Sequence, residues 1–270
     1  SFNESFPFGM EMGKVYTVAA SKNTGKTNHA ITIAIHAIRN GSRVFFSSGE
    51  NAVDVVLAQI VTVLGGISDG DAYNDPNKWE RFDENVDIVE KWISDGLLII
   101  ENERDLKLVR MSVMAFCGIR DEAVLLIMDF FEIYHTSWKY AEKISANKAH
   151  EIQDIAMKCR VALLMLGQVL RESVKEGKKP GLGDVKWGEE LETISTAIVI
   201  LFEPETQPYG QTLLDYYLIK YRGGAAFKKF VATLEIVEGG RHREPITTQQ
   251  ATNAISNLLN NVQGRDIVID

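Results

Sequence analysis

Short apolar runs alternate with stretches that repeat hydrophobic residues every three or four positions, and the alternation holds for the first two-thirds of the chain. Residues 15–19 are apolar and short, the mark of a strand buried on both faces. In 27–39 the apolar positions Ala30, Ile33, Ala34, Ala37 and Ile38 share one helical face, and Asn40-Gly41 supplies the stop. Residues 44–48 read as a second strand, 54–64 as a helix closed by Gly65-Gly66, and 68–76 as a polar surface loop. An amphipathic helix over 77–94 turns Trp79, Phe82, Val86, Val89, Trp92 and Ile93 inward. A strand at 97–100 and a helix at 106–118 follow. The most apolar run, 123–128, then ends at Asp129, before a long helix at 142–158 and a strand at 162–166. Beyond that point strands succeed one another directly, at 196–202, 213–220 and 229–237, the last two flanking Gly223-Gly224 as an antiparallel pair. Residues 247–261 read as one more helix, with Thr247 or Thr248 as its cap.

This order predicts an α/β fold: a mostly parallel central sheet flanked by helices, with antiparallel edge strands. No internal repeat and no Pro/Ser linker divides it. The expected layout is an N-terminal arm at 1–14 packing Phe2, Phe6 and Phe8, one domain over 15–245, and a C-terminal helix and tail over 246–270. Hydrophobic and charged fractions of 45% and 24% are those of an ordinary globular protein. No apolar run approaches the roughly 20 residues of a membrane span, and the N-terminus lacks a basic segment followed by an apolar core. The expectation is a cytoplasmic protein without a membrane partner. Cys117 and Cys159 lie far apart in apolar stretches and read as reduced core residues. A net charge of −8 neither announces nor excludes nucleic acid, because a ring or groove can gather Lys and Arg on one surface.

The chemistry centres on Ala20-Ser21-Lys22-Asn23-Thr24-Gly25-Lys26-Thr27, placed between the first strand and the first helix. It has the form of a phosphate-binding loop in which Ala20 replaces the first glycine. Such a loop turns its backbone N–H groups around phosphate oxygens, and the helix N-terminus adds a positive dipole. Lys26 would reach the β- and γ-phosphates and the Thr27 hydroxyl would hold Mg²⁺; the plain alternative is a strand-to-helix turn with a solvated lysine. Asp129, at the end of a buried strand, fits the carboxylate that orders the Mg²⁺ shell, or else a helix cap. Glu50 ends the second strand, where a carboxylate can deprotonate a water in line with the γ-phosphate; on its own it also fits a surface acid. Gln168 ends the strand at 162–166, and its amide can sense the γ-phosphate. The loop beyond it holds Arg171, Lys175, Lys178, Lys179 and Lys186, either a contact to a nucleic-acid backbone or a solvated basic loop.

Five segments taken in order resemble the C-terminal ATPase domain of DnaB-type replicative helicases. Residues 19–27 look like that family's phosphate loop, which also tends to begin with Ala. Phe46-Ser47-Ser48-Gly49-Glu50-Asn51 resembles the next motif, whose Ser-x-Glu supplies the catalytic Glu. Leu126-Ile127-Met128-Asp129-Phe130-Phe131-Glu132-Ile133 is similar to its Walker-B strand, with Phe130 where Tyr is usual. Leu166-Gly167-Gln168-Val169-Leu170-Arg171 and Ile219-Lys220-Tyr221-Arg222-Gly223-Gly224 resemble its Ser-Gln-Leu-x-Arg and Lys-x-Arg-x-Gly segments.

The resemblance implies a RecA-like P-loop NTPase that binds ATP and Mg²⁺ between subunits of a homo-oligomer, normally a hexameric ring around single-stranded DNA. Lys220 and Arg222 would act across the interface, Arg222 as an arginine finger of the kind that contributes ~10³–10⁵ in rate. Without the resemblance they are ordinary charges on a strand end. It also implies DNA contacts on the loops at 135–148, with Lys139, Lys143 and Lys148, and at 171–186. A primase or a helicase loader would be a further partner. The implied function is an ATP-dependent DNA helicase core. Alternatives on the same core are a recombinase or circadian-clock-type ATPase, and a nucleotide-gated assembly module. Gly49 and Asn51 depart from the usual Leu and Met, and Gly224 stands close to where an Asn-Gly pair is common. Family members usually carry an N-terminal helical domain and a linker helix, where this sequence has a short arm.

Overall fold

A computed structural model describes residues 10–67, 69–119, 122–136, 144–170, 180–203, 212–222, 229–236 and 242–243. The chain runs β1 (Val15–Ala20), α1 (Lys26–Arg39), β2 (Arg43–Ser48), α2 (Val53–Gly65), α3 (Asp69–Asn74), α4 (Pro76–Ser94), β3 (Leu98–Glu101) and α5 (Leu106–Cys117). It continues through β4 (Val124–Asp129), α6 (Ile144–Cys159), β5 (Ala162–Gln168), a 3-10 turn (Leu182–Asp184), α7 (Gly188–Ile194), β6 (Ser195–Phe202), β7 (Thr212–Tyr221), β8 (Lys229–Ile236) and β9 (His242–Arg243).

The nine strands among the described residues join one sheet in the order β3-β2-β4-β5-β1-β6-β7-β8-β9. From β3 to β6 every pairing is parallel, and β7, β8 and β9 extend the sheet antiparallel. The expected α/β fold is therefore the observed one.

Two cores lie on the two faces. Leu125 and Ile127 of β4 and Leu164 and Leu166 of β5 pack with Ala30, Ile31 and Ala34 of α1 and Val56 and Ile60 of α2. Their neighbours Val124, Leu126 and Met128, with Leu163 and Met165, point the other way onto Val113 and Phe116 of α5 and Ile152 and Ile155 of α6. This two-residue alternation inside wholly apolar runs is what a doubly covered parallel strand requires.

Local chemistry sets the helix ends. Asp75 accepts from the Asn77 amide at 3.0 Å with Pro76 at the first helical position of α4, and Asp105 accepts from the Lys107 amide at 2.8 Å at the start of α5. Gly66, at φ 70°, closes α2 in the left-handed conformation that glycine reaches without strain.

The sequence expectation differs at β9, which it lacks, and in three further places. Part of the polar stretch expected as loop is α3, whose Ala72 is buried. Phe82, Val86, Val89 and Trp92 of α4 pack inward, but Trp79 and Ile93 are 50% and 42% exposed, because α4 lies beside the edge strand β3 and its apolar face is only partly covered. The basic stretch after β5 is not all loop, since it contains the 3-10 turn, and α7 begins two residues beyond Lys186. The arm at 1–9 and the helix expected at 247–261 fall outside the described residues. Among the described residues no helix is long and apolar enough to cross a membrane.

Candidate functional site

The parallel strands β1, β2, β4 and β5 deliver Ala20, Ser48, Asp129 and Gln168 to the same, C-terminal edge of the sheet, where parallel α/β sheets bind their ligands. Ala20 pairs with Gln168, and its carbonyl accepts from the Val169 amide at 2.9 Å. Beyond it the chain makes a tight loop, with Asn23 and Gly25 left-handed at φ 68° and 80°, and enters α1 at Lys26. The Ser21 and Thr24 hydroxyls hydrogen-bond across the loop. Gly25 is thus the residue that lets the backbone turn directly from loop into helix.

Lys26, Thr27 and Asp129 meet under this loop. The Thr27 hydroxyl donates to Asp129 Oδ2 at 2.7 Å, and Lys26 Nζ lies 3.9 Å from Oδ1 and 4.5 Å from the centre of the Phe130 ring. Asp129 is fully buried, and its Oδ1 accepts no hydrogen bond. Burial pushes its carboxyl above the usual carboxylate range, opposed by the charge of Lys26 and the Thr27 hydrogen bond. A buried carboxylate oxygen with spare capacity beside a hydroxyl is a hard oxygen pair that suits Mg²⁺, so the two expected metal ligands fit that ion.

An open cleft of about 410 Å³ lies above, lined by the phosphate loop with Glu50, Asn51, Gln59, Phe130 and Gln168. Glu50 is exposed at its rim. The turn that carries it is built from Ser48, whose hydroxyl donates to the Asn51 carbonyl at 3.0 Å and accepts from the Asn51 amide at 3.1 Å. Sequence reasoning gave no role to Gln59. Its Oε1 is buried without a hydrogen-bond partner on the cleft side of α2, and the available signal was one amide within an otherwise apolar helical run.

Lys220 and Arg222 are elsewhere. Lys220 pairs with Ile198 and Tyr221 with Ala197, and Ala197 in turn sits beside Tyr16 near the start of β1. Tyr16 and Ala20 are four residues apart, roughly 13 Å at ~3.3 Å per residue, so the pair occupies the sheet edge opposite the phosphate loop. Within one chain, Lys220 Nζ donates to the Glu192 carbonyl and Arg222 to the Thr193 carbonyl, both at the C-terminal end of α7. Burial, then the charge of Arg222, lowers the Lys220 pKa.

The expectation for Lys148 is corrected. Its ammonium is buried at 6% exposure, donating to the Phe131 and Glu132 carbonyls at 3.2 and 3.4 Å and lying 4.7 Å from the Phe131 ring centre. It is an internal brace between α6 and the segment after β4 and offers no charge to a DNA backbone. Lys139, Lys143, Arg171, Lys175, Lys178 and Lys179 lie outside the described residues.

The sequence pattern of the DnaB-like helicase C terminal domain family matches residues 4–238. No curated protein sequence matches the chain. Among solved structures, an ATPase domain superposes with a TM-score of 0.75 at 15% identity, covering 87% of this chain and 86% of its own. A DnaB-like replicative helicase, solved to show its interactions with primase, superposes at 0.73 and 15% identity, over 86% of this chain and 57% of that longer one. With five motifs in order, one nine-stranded sheet and a family pattern over nearly its whole length, the chain belongs to the DnaB-like helicase C-terminal domain family.

Proposed function

We propose that this chain is the ATP-hydrolysing motor core of a replicative DNA helicase, working in the cytoplasm and acting on single-stranded DNA from sites shared between neighbouring copies. The observation that carries the reading is the convergence of Lys26, Thr27, Asp129, Glu50 and Gln168 on one cleft at one sheet edge. Membership of the family supplies the motor context, and a ring of copies, with a primase or loader as partner, is part of the same reading.

The loop amides and Lys26 hold the phosphates, and the lysine ammonium offsets the negative charge that spreads over the γ-phosphate oxygens in the transition state. The Thr27 hydroxyl and the Asp129 carboxylate would hold Mg²⁺, which would supply further neutralisation of the phosphate charge. Glu50 accepts the proton of the attacking water. Gln168 hydrogen-bonds the γ-phosphate. As β5 continues into the segment beyond, it passes the state of the nucleotide outward. Arg222 and Lys220, at the far edge of the neighbouring copy, complete the charge around the γ-phosphate.

ATP turnover measured with and without single-stranded DNA tests the reading. Turnover should rise with DNA, and Lys26→Ala should lower it by ~10²-fold or more. ATP hydrolysis that DNA neither stimulates nor accompanies by binding would rule out the helicase and leave a DNA-independent ATPase.

A further inference from the structure

Two other segments converge on Gly49, the residue before Glu50. Its amide donates to the Asp129 carbonyl at 2.7 Å, and its carbonyl accepts from Arg104 Nε at 2.8 Å. The space a side chain would need is taken, because a Cβ on Gly49 would meet Ile133 Cγ2 at 2.7 Å. Both peptides flanking Gly49 are therefore held, the 48–49 peptide through its N–H by the end of β4 and the 49–50 peptide, which leads into Glu50, through its C=O by Arg104.

The loop carrying Arg104 is itself fixed. The Arg104 carbonyl accepts from the His135 amide at 2.9 Å, and the Leu106 amide donates to the His135 carbonyl at 3.1 Å. Glu103 Oε1 accepts from the Arg104 and Asp105 amides at 2.7 and 2.8 Å. Bonds thus run from Asp129 through Gly49 and Arg104 to His135, which lies on the segment following β4, and the circuit closes. A guanidinium in water has no need of this one carbonyl; here it is tied to the backbone one residue from the carboxylate expected to take the proton.

We propose that Arg104 is a positioning residue for ATP hydrolysis: by clamping the Gly49 carbonyl it fixes the 49–50 peptide and aims the Glu50 carboxylate at the attacking water. The proposal rests on the reading of Glu50 as general base. Without Arg104, the turn at 48–51 keeps its Gly49–Asp129 bond and its Ser48–Asn51 bonds but loses its outer restraint. Arg104 does not line the nucleotide cleft, so its loss leaves ATP binding in place while the base wanders, and small displacements of a reacting group are costly.

The test compares Arg104→Ala, Arg104→Lys and Glu50→Gln in the assembled protein with single-stranded DNA. Steady-state turnover is followed together with titration of a fluorescent ATP analogue. Arg104→Ala should lower kcat about 10- to 100-fold with KM and analogue affinity within about twofold of the parent. Lysine, which keeps a donor of similar reach, should recover part of the loss. Parental kcat in Arg104→Ala, a fall in kcat matched by an equal loss of analogue binding, or a lysine no better than alanine overturns the proposal. Glu50→Gln separates the two readings. If it is inert while Arg104→Ala is normal, only the role of Arg104 falls; if it turns over ATP at the parental rate, the general-base reading falls first.

Discussion

Buried acids dominate the chemistry at the level of single residues. Burial raises the Asp129 carboxyl, and Lys26 and the Thr27 hydroxyl oppose the rise, whereas Glu101, at the end of β3, has no cation of that kind among the groups that shift it. Burial raises the Glu101 carboxyl from 4.5 to about 6, partly offset by its hydrogen bond with Ser112. Because the folded value lies above the unfolded one, the stability this group contributes is full below 4.5 and is lost as pH rises through about 6. Melting curves from about pH 4 to about pH 7 should therefore show the parent losing ground to Glu101→Gln as pH rises; a constant difference would refute the burial effect. Gly49 makes a second prediction. Gly49→Ala forces Ile133 to move and should cost about 1–3 kcal/mol by denaturant melting, with ATP turnover reduced as well. Much at this scale was legible in the sequence, because Lys26, Thr27 and Asp129 each sit where a strand end meets a short motif. The demand for glycine at 49 was not, since it is set by Ile133, a residue that only the fold brings near. Lys148 was misread for the matching reason: its partners are backbone carbonyls, which leave no mark in sequence.

Among the elements, the tie between α1 and β7 stands out. Tyr216 of β7 bonds the His29 imidazole one turn into α1, its hydroxyl 2.5 Å from Nδ1 and 3.1 Å from Nε2, with the rings edge to face. Both side chains are buried. The helix that starts at the phosphate loop is thus pinned to the strand that carries Lys220 near its end and leads directly into Arg222. Tyr216→Phe removes the hydroxyl from a site closed to water and should cost about 1–3 kcal/mol in chemical denaturation; an unchanged midpoint would mean that the contact contributes nothing. Strands and long helices were readable because apolar period and length agree in each. α3 and α7, of six and seven residues, were not, since one or two turns are too short to display a helical period. α7 also follows Trp187 in the left-handed region at φ 59°, a conformation the sequence does not advertise.

For the molecule as a whole, the decisive geometry is that the phosphate loop and the Lys220–Arg222 pair occupy opposite edges of one sheet. On the reading proposed above, an active site takes its loop from one copy and its finger from the next. A mixture of inactive variants tests this directly. Arg222→Ala has a sound loop and Lys26→Ala a sound finger, so adding excess Lys26→Ala to Arg222→Ala should restore part of the ATP turnover; no recovery at any ratio would exclude action between subunits. Lys26→Ala also keeps its α1–β7 tie, so the restored activity reads the finger and not a repaired fold.

On that same reading, the placement sets a counting rule. Two unlike ends that fit each other make a head-to-tail contact, which repeats until rotation brings the last copy back to the first. An open run of n copies then holds n − 1 complete catalytic centres and strands one loop and one finger at its tips, while a closed ring holds n and strands none. Closure adds a catalytic centre without adding a subunit. Turnover per chain, followed against protein concentration, should therefore rise with assembly and level off when rings have formed.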